Sequence, residues 1–163
     1  MKDLKNQIIE ILTENARYTN AQVADMLGVT EEDINNAIKE LEKDGVIVKY
    51  SAIVNTEAIK ERKVQALIEV KVAPQKLKGF DSYAEELYNF PEVTSLYLMS
   101  GSFDLAVFVE GEDILAVSRF ISEKLSVIDG IVSVATHFIL KKYKIEGQVT
   151  KPSEENKRQL FQE

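Results

Sequence analysis

The residues best suited to chemistry in this sequence fall into four small polar groups. Thr30, Glu31, Asn35, Asn36 and Lys39 lie on one side of a stretch whose apolar residues, Ile34, Ala37, Ile38 and Leu41, recur on the other. An asparagine amide matches the edge of adenine, and a glutamate accepts from the cytosine amino group, so this side carries groups that read base edges. Arg17, Thr19, Asn20, Lys43, Lys49 and Tyr50 flank it as candidates for phosphate contact. The second group is Gly101-Ser102-Phe103-Asp104. Its glycine lets the backbone approach a small molecule closely, and it also reads as a plain hairpin turn with the aspartate bonding its own backbone. The third is Lys141-Lys142-Tyr143-Lys144, read as a solvated strand end rather than a basic patch. The fourth is His137, the one histidine. No partner stands at metal-ligand spacing from it, so it reads as a packed or interface side chain whose titration would tune assembly near neutral pH.

Those groups need elements to hold them. Leu4, Ile8, Ile11 and Leu12 make one apolar stripe of an amphipathic helix. Thr19 or Asn20 can cap a second helix carrying Val23, Ala24 and Leu27, with Gly28 as its stop. Thr30 opens a third helix, and Asp33 three residues later resembles a capping box. Gly45 ends it. Two helices joined by a short glycine-containing turn are the helix-turn-helix signature. Val46 to Val54 is β-prone and fits a strand or wing, and Asn55 to Lys63 is polar enough for a linker with a helical turn.

Beyond residue 64 the period changes from helical to alternating. Ala66, Ile68, Val70 and Val72 share one face of a strand that Pro74 ends. Phe80, Tyr83, Ala84, Leu87 and Tyr88 return to helical spacing. Val93 to Ser100 and Leu105 to Val109 form a hairpin around the Gly101 turn. Ile114, Val117, Ile121 and Leu125 stripe a further helix, and Ile131 to Leu140 is the last strand. The order β-α-β-β-α-β is the ferredoxin-like, or split βαβ, arrangement. Its helices should cover one sheet face, and strands as apolar as VTSLYLMS and IVSVATHFIL then ask for a second copy on the other. The aromatics Tyr83, Tyr88, Phe90, Tyr97, Phe103, Phe108 and Phe120 read as core or interface. From Ile145 the chain turns polar, with the character of a loose or peripheral tail.

Composition narrows the class. A content of 45% hydrophobic and 29% charged residues is that of an ordinary globular protein. The absence of cysteine removes disulfides, thiol nucleophiles and thiolate metal sites, and fits a reducing cytosol. The start, MKDLKNQIIEIL, is not a secretory signal, and no apolar run approaches the roughly 18 residues of a membrane span. There is no Gly-rich phosphate loop, GxSxG or HExxH, so neither an enzyme nor a metal or other cofactor is expected.

The combination resembles the leucine-responsive/asparagine regulator (Lrp/AsnC) family of transcription factors. The stretches that carry the likeness are NARYTNAQVADMLGVTEEDINNAIKELEKDGVIVKYSAIVN, FPEVTSLYLMSGSFDLAVFVEG and THFILKKYK. The resemblance implies an α+β chain: a winged helix-turn-helix DNA-binding domain at 1–54, a linker at 55–63, a ferredoxin-like βαββαβ (RAM-type) domain at 64–144 and a tail at 145–163. It implies a cytoplasmic homodimer, assembled further into tetramers or octamers, that binds double-stranded DNA and an amino acid or similar small molecule. The family's effector site maps to Met99, Ser100, Gly101, Ser102, Phe103 and Asp104, with Thr136 as a neighbour. Loop amides would meet the effector's carboxylate, and Asp104 its amino group.

Charge works against DNA. The chain carries a net −7, and from Thr30 to Lys43 two lysines face five acids, where family members carry Arg or Lys. Glu31, Glu32 and Asp33 complement the helix dipole; Glu40 and Glu42 do not. Affinity per domain should therefore be modest and salt-sensitive, offset by the avidity of an oligomer. The competing expectation is a small-molecule-binding, oligomer-forming protein whose helix-turn-helix is vestigial. A resemblance to sirohaem decarboxylases of this architecture would need several His and Arg residues, against His137, Arg17, Arg62, Arg119 and Arg158 here.

Overall fold

A computed structural model describes residues 3–59, 63–73 and 79–150. The chain divides into two compact units, Met1–Val54 and Asn55–Glu163. In the first, α1 (Leu4–Glu14), α2 (Asn20–Leu27) and α3 (Glu31–Lys43) surround a core of Ile8, Val23, Ala24, Ile34, Ala37 and Leu41. Helices of this length are marginal alone. Burying each large aliphatic side chain adds about 1.5–3 kcal/mol, so the shared core holds them.

Local signals set the helix ends. Thr19, not Asn20, is the cap of α2: its side chain accepts from the Gln22 amide at 3.2 Å, and the Gln22 side chain accepts from the Thr19 amide at 2.9 Å. Thr30 and Asp33 repeat the reciprocal arrangement at the start of α3. Gly28 closes α2 at φ 68°, a left-handed conformation that glycine adopts without steric cost.

The expected strand over 46–54 is corrected. Val46 and Ile47 donate to the Leu41 carbonyl, and the chain then continues to Asn55 with no ladder partner among the described residues. Of this stretch Ile47 packs against the apolar core of the helices, and Val48 is 88% exposed. A β-prone sequence becomes a strand only beside another one. A single 3-10 turn, Thr56–Ala58, follows in the linker.

The second unit holds a four-stranded sheet of order β2-β3-β1-β4, antiparallel throughout. Its elements are β1 (Val64–Val72), α4 (Phe80–Tyr88), β2 (Val93–Leu98), β3 (Leu105–Gly111), α5 (Ile114–Arg119) and β4 (Ile131–Phe138). Pro74, expected to end β1, lies outside the described residues. Ala66, Ile68, Val70 and Val72 of β1 and Leu105, Val107 and Val109 of β3 pack beneath Tyr83 and Leu87 of α4 and Val117 of α5.

Three expectations shift. The stripe of α4 is narrower than its spacing suggests, since Phe80 and Tyr88 are exposed. Of the expected stripe Ile114, Val117, Ile121, Leu125, Val117 and Leu125 are buried, and past Arg119 α5 passes into a π-helical segment, Phe120–Leu125, that shifts the inward register. The wider turn buries Phe120 and Leu125, five residues apart, and leaves Ile121 half-buried and Ile114 exposed. The tail is ordered at its start: β5 (Lys144–Ile145) pairs with β6 (Gln148–Val149). Glu146 and Gly147, at φ 44° and 81°, supply the two positive angles that a tight hairpin turn requires. Residues 151–163 lie outside the described residues, as do Arg62 and Arg158.

Candidate nucleic-acid interface and effector turn

The outward side of α3 is polar by construction. Ile34, Ala37 and Leu41 are buried, which leaves Glu31, Asn36, Lys39 and Lys43 exposed and Asn35 half-buried. Asn35, Asn36 and Lys39 therefore share one accessible surface, following Thr30 and Glu31 at the helix start. Arg17, Lys49 and Tyr50 are exposed, and Asn20 is half-buried.

Three expected contact residues have other partners. The Thr30 hydroxyl donates to Asp33 Oδ2 at 2.6 Å and accepts from the Asp33 amide, and Thr19 is bound up with Gln22. The Thr30 hydroxyl, followed by its amide, holds the Asp33 carboxyl below its ordinary value. Tyr50 donates to Glu42 at 3.0 Å. Partial burial, and then that bond, raise the tyrosine's pKa.

Two of the acids behind the charge objection have partners of their own. Lys5 of α1 pairs with Glu40 at 2.8 Å, and this hydrogen bond lowers the Glu40 pKa and raises that of Lys5. Glu40 and Glu42, the two acids without a helix-dipole role, are thus both engaged within the domain. Thirty-five positions separate Lys5 from Glu40, so spacing along the chain carried no sign of it.

In the second unit the Gly101 turn is pinned to the sheet. The Asp104 amide donates to the Val70 carbonyl at 3.0 Å, and Met99 donates to the Asp104 carbonyl at 2.8 Å. Asp104 Oδ2 accepts from the Val72 amide at 2.9 Å. The carboxylate therefore bridges the start of β3 to the end of β1 instead of bonding its own backbone. Between these anchors, Ser100, Gly101 and Ser102 are exposed and Phe103 is half-buried. The amides of Ser100, Gly101, Ser102 and Phe103 have no hydrogen-bond partner among the described residues. Successive backbone amides that converge in a turn make a concavity suited to an anion. Gly101 sits at φ 151° with open space where a Cβ would project.

Thr136 is not beside this turn within one chain. It pairs with Ile68 on the helix-covered side, and β1 separates its strand from β3.

One further feature escaped the sequence, and a second, the uncovered sheet face, was expected from its apolar strands. A cavity of about 380 Å³ lies between α4 and β2, where Phe80, Ala84, Leu98 and Leu105 meet Asp81 and Ser95. The sheet face away from the helices carries Leu67, Tyr97, Ala106, Phe108 and Ala135 by register. Tyr97 and Phe108 meet edge to face at 5.9 Å, and Tyr97 is 55% exposed. His137 stands on this face, with Nε2 3.3 Å from Glu69. At one end, Glu110 accepts from Lys63 at 2.8 Å and Gln65 at 2.7 Å, bonds that lower its pKa. Among the described residues there is no cluster of three or more His, Asp or Glu able to hold a metal, and no helix long and apolar enough to cross a membrane.

A helix-turn-helix with a polar outward helix, joined to a βαββαβ domain with an open sheet face and a free-amide turn, defines a transcriptional regulator with separate DNA-binding and ligand-binding domains. Comparison with known proteins agrees. Residues 1–48 match the winged helix-turn-helix DNA-binding family model, and residues 65–149 match the Lrp/AsnC ligand-binding domain. The chain is 43% identical to the HTH-type transcriptional regulator YugG of Bacillus subtilis, over 97% of this chain and 96% of that protein. It is 32% identical to LrpA of Pyrococcus abyssi, over 88% of this chain and all of that protein. Among solved structures, NMB0573 of Neisseria meningitidis in complex with L-Met superposes with a TM-score of 0.69 at 25% identity, covering 89% and 93% of the two chains. The chain belongs to the Lrp/AsnC family of transcriptional regulators.

Proposed function

We propose that this regulator binds double-stranded DNA as a homodimer, and as a tetramer or octamer of such dimers, under the control of an amino acid or closely related metabolite. Asn35, Asn36 and Lys39, with Thr30 and Glu31, face the bases; Arg17, Asn20, Lys43 and Lys49 contact phosphate. Thr19 and Tyr50 border the interface. The observation that carries the DNA reading is that Asn36, Lys39 and Lys43 stand exposed on the outward side of α3, with Glu40 paired to Lys5.

The effector lies at Met99, Ser100, Gly101, Ser102, Phe103 and Asp104. The free amides of the turn take its carboxylate, and Asp104 holds the turn in place. Thr136 enters the site from a second copy. The L-Met complex of the Neisseria meningitidis relative supports an effector of this class. The apolar open face, with Leu67, Phe108 and Tyr97, is the dimer contact, since such a face costs free energy when left in water. The protein is a cytoplasmic regulator and not an enzyme.

Fluorescence anisotropy against its own upstream region across a salt series tests this reading. Binding should weaken steeply with salt. In Lys39→Ala, the slope of log affinity against log salt should fall by about one unit. No binding at low salt and micromolar protein would instead favour a vestigial helix-turn-helix, for which the acidic start of α3 is the supporting feature.

A further inference from the structure

We infer that self-association through the open sheet face is linked to protonation of His137, so that the assembly tightens as the solution becomes mildly acidic. The inference rests on the open-face contact proposed above and adds to it a means of control. Cross-strand neighbours on that face form rows. Phe108, Leu67 and His137 make one row across β3, β1 and β4, and Ala106, Glu69 and Ala135 make the next. Tyr97 of β2 extends the second row. Glu69 is thus a carboxylate on an inner strand with an alanine on either side. His137 stands diagonally across from it, with Nε2 3.3 Å from Glu69 Oε1. In a single copy water reaches both side chains, which are 57% and 33% exposed.

The remaining charged groups on this face leave the pair to itself. Lys71 lies two residues along β1 from Glu69 and has no ion-pair partner among the described residues. Glu110 of β3 stands at the far end of the face, held by Lys63 and Gln65. From β2 the face receives Tyr97, which meets Phe108 edge to face. The histidine is therefore the group in contact with the Glu69 carboxylate.

A second copy laid on this face takes Glu69 out of water. An unpaired carboxylate resists that transfer far more than one held by a cation. Covering the face therefore favours the imidazolium over the neutral ring, and the assembled form holds protons that separate copies release. Association that takes up protons strengthens as pH falls. Imidazole side chains ordinarily titrate at about 6.5, above the range of carboxylates. The chain has one histidine, so no second imidazole can mask or imitate the effect.

Sedimentation of the full-length protein over a range of concentrations, at about pH 6 and about pH 8 and one ionic strength, tests this. The parent's association constant should be at least about tenfold higher at the lower pH. His137→Gln, a change at an exposed side chain, should give equal constants at the two pH values. Glu69→Gln removes the anion, so a charged ring would then be covered without a partner, and the trend should vanish or reverse. A histidine that only packs would alter affinity without altering the pH profile. Equal parent constants at both pH values, or a parent-like slope in His137→Gln, overturns the inference. Phe108→Ala separates that failure from failure of the contact. Self-association unchanged in Phe108→Ala overturns both, whereas weakened self-association with a flat parent profile overturns the proton linkage alone. Should the parent stay assembled at the lowest concentration, the same substitutions are compared in the Phe108→Ala background, where the same outcomes decide.

Discussion

The helical unit and the sheet unit bury their apolar residues in opposite ways. Three short helices enclose Ile8, Val23, Ile34 and Leu41 from several sides and turn polar groups outward. The sheet is covered by helices on one face only, so Leu67, Tyr97 and Phe108 remain at the surface. A single copy of the first unit is a finished structure. A single copy of the second leaves one sheet face uncovered among the described residues. Recognition of DNA by α3 can accordingly be argued from one chain, whereas assembly requires a second copy to make the open face complete.

Substitutions on each side sharpen that contrast. Ile34→Ala removes a fully buried side chain from the helical core and should cost about 2–5 kcal/mol in urea unfolding, with loss of DNA binding and retention of the oligomer. Loss of the oligomer as well would mean that the two units do not fold independently. Phe108→Ala on the open face should leave the fold intact and weaken self-association by about 2–4 kcal/mol, read by sedimentation at falling concentration. An unchanged dimer would show that the open face is not the contact.

Smaller effects follow at the caps and the surface. Thr30→Ala removes the hydroxyl half of the α3 capping box, while the backbone amide at 30 can still donate to Asp33, and should destabilise the helical unit by about 1 kcal/mol. An effect on the sheet unit of equal size would contradict the separation. Glu110→Gln should matter least. The Lys63 and Gln65 hydrogen bonds depress the Glu110 pKa in the folded chain, so their stabilisation is present above its ordinary 4.5 and is lost as pH falls through the lower folded value. Lys63 is largely solvent-exposed, which keeps the contribution below about 1 kcal/mol. Thermal unfolding of parent and variant should therefore differ at pH 7 and converge in acid. A difference that persists in acid would exclude the ion pair as its source.

What could be read from the sequence depended on the range of the interaction. The alternation of Ala66, Ile68, Val70 and Val72, the capping box at Thr30 and the left-handed stop at Gly28 act within a few residues, and the structure places them as their spacing requires. The register of α5 was hidden, because a π-helical segment keeps Phe120 and Leu125 inward while α-helical counting favours Ile121. Phe80 and Tyr88 fit the stripe of α4, yet a helix lying on a sheet buries a narrow band, so they border a cavity instead. Contacts such as Lys5 with Glu40 and Asp104 with Val72 join residues more than thirty positions apart, and no local pattern records them. The candidate site was legible as a turn, but not as a turn with free amides and a committed carboxylate.

That carboxylate has a mechanical consequence. A turn attached only by its own two strands yields to a push by bending. Here Asp104 adds a cross-link from the turn to the far end of β1, the strand that β3 and β4 flank. β1 is nine residues of paired backbone, about 30 Å of stiff rod, and its other end is continuous with the linker at 55–63. A displacement at the turn must therefore strain a bond to the end of β1 as well as the turn's own two strands.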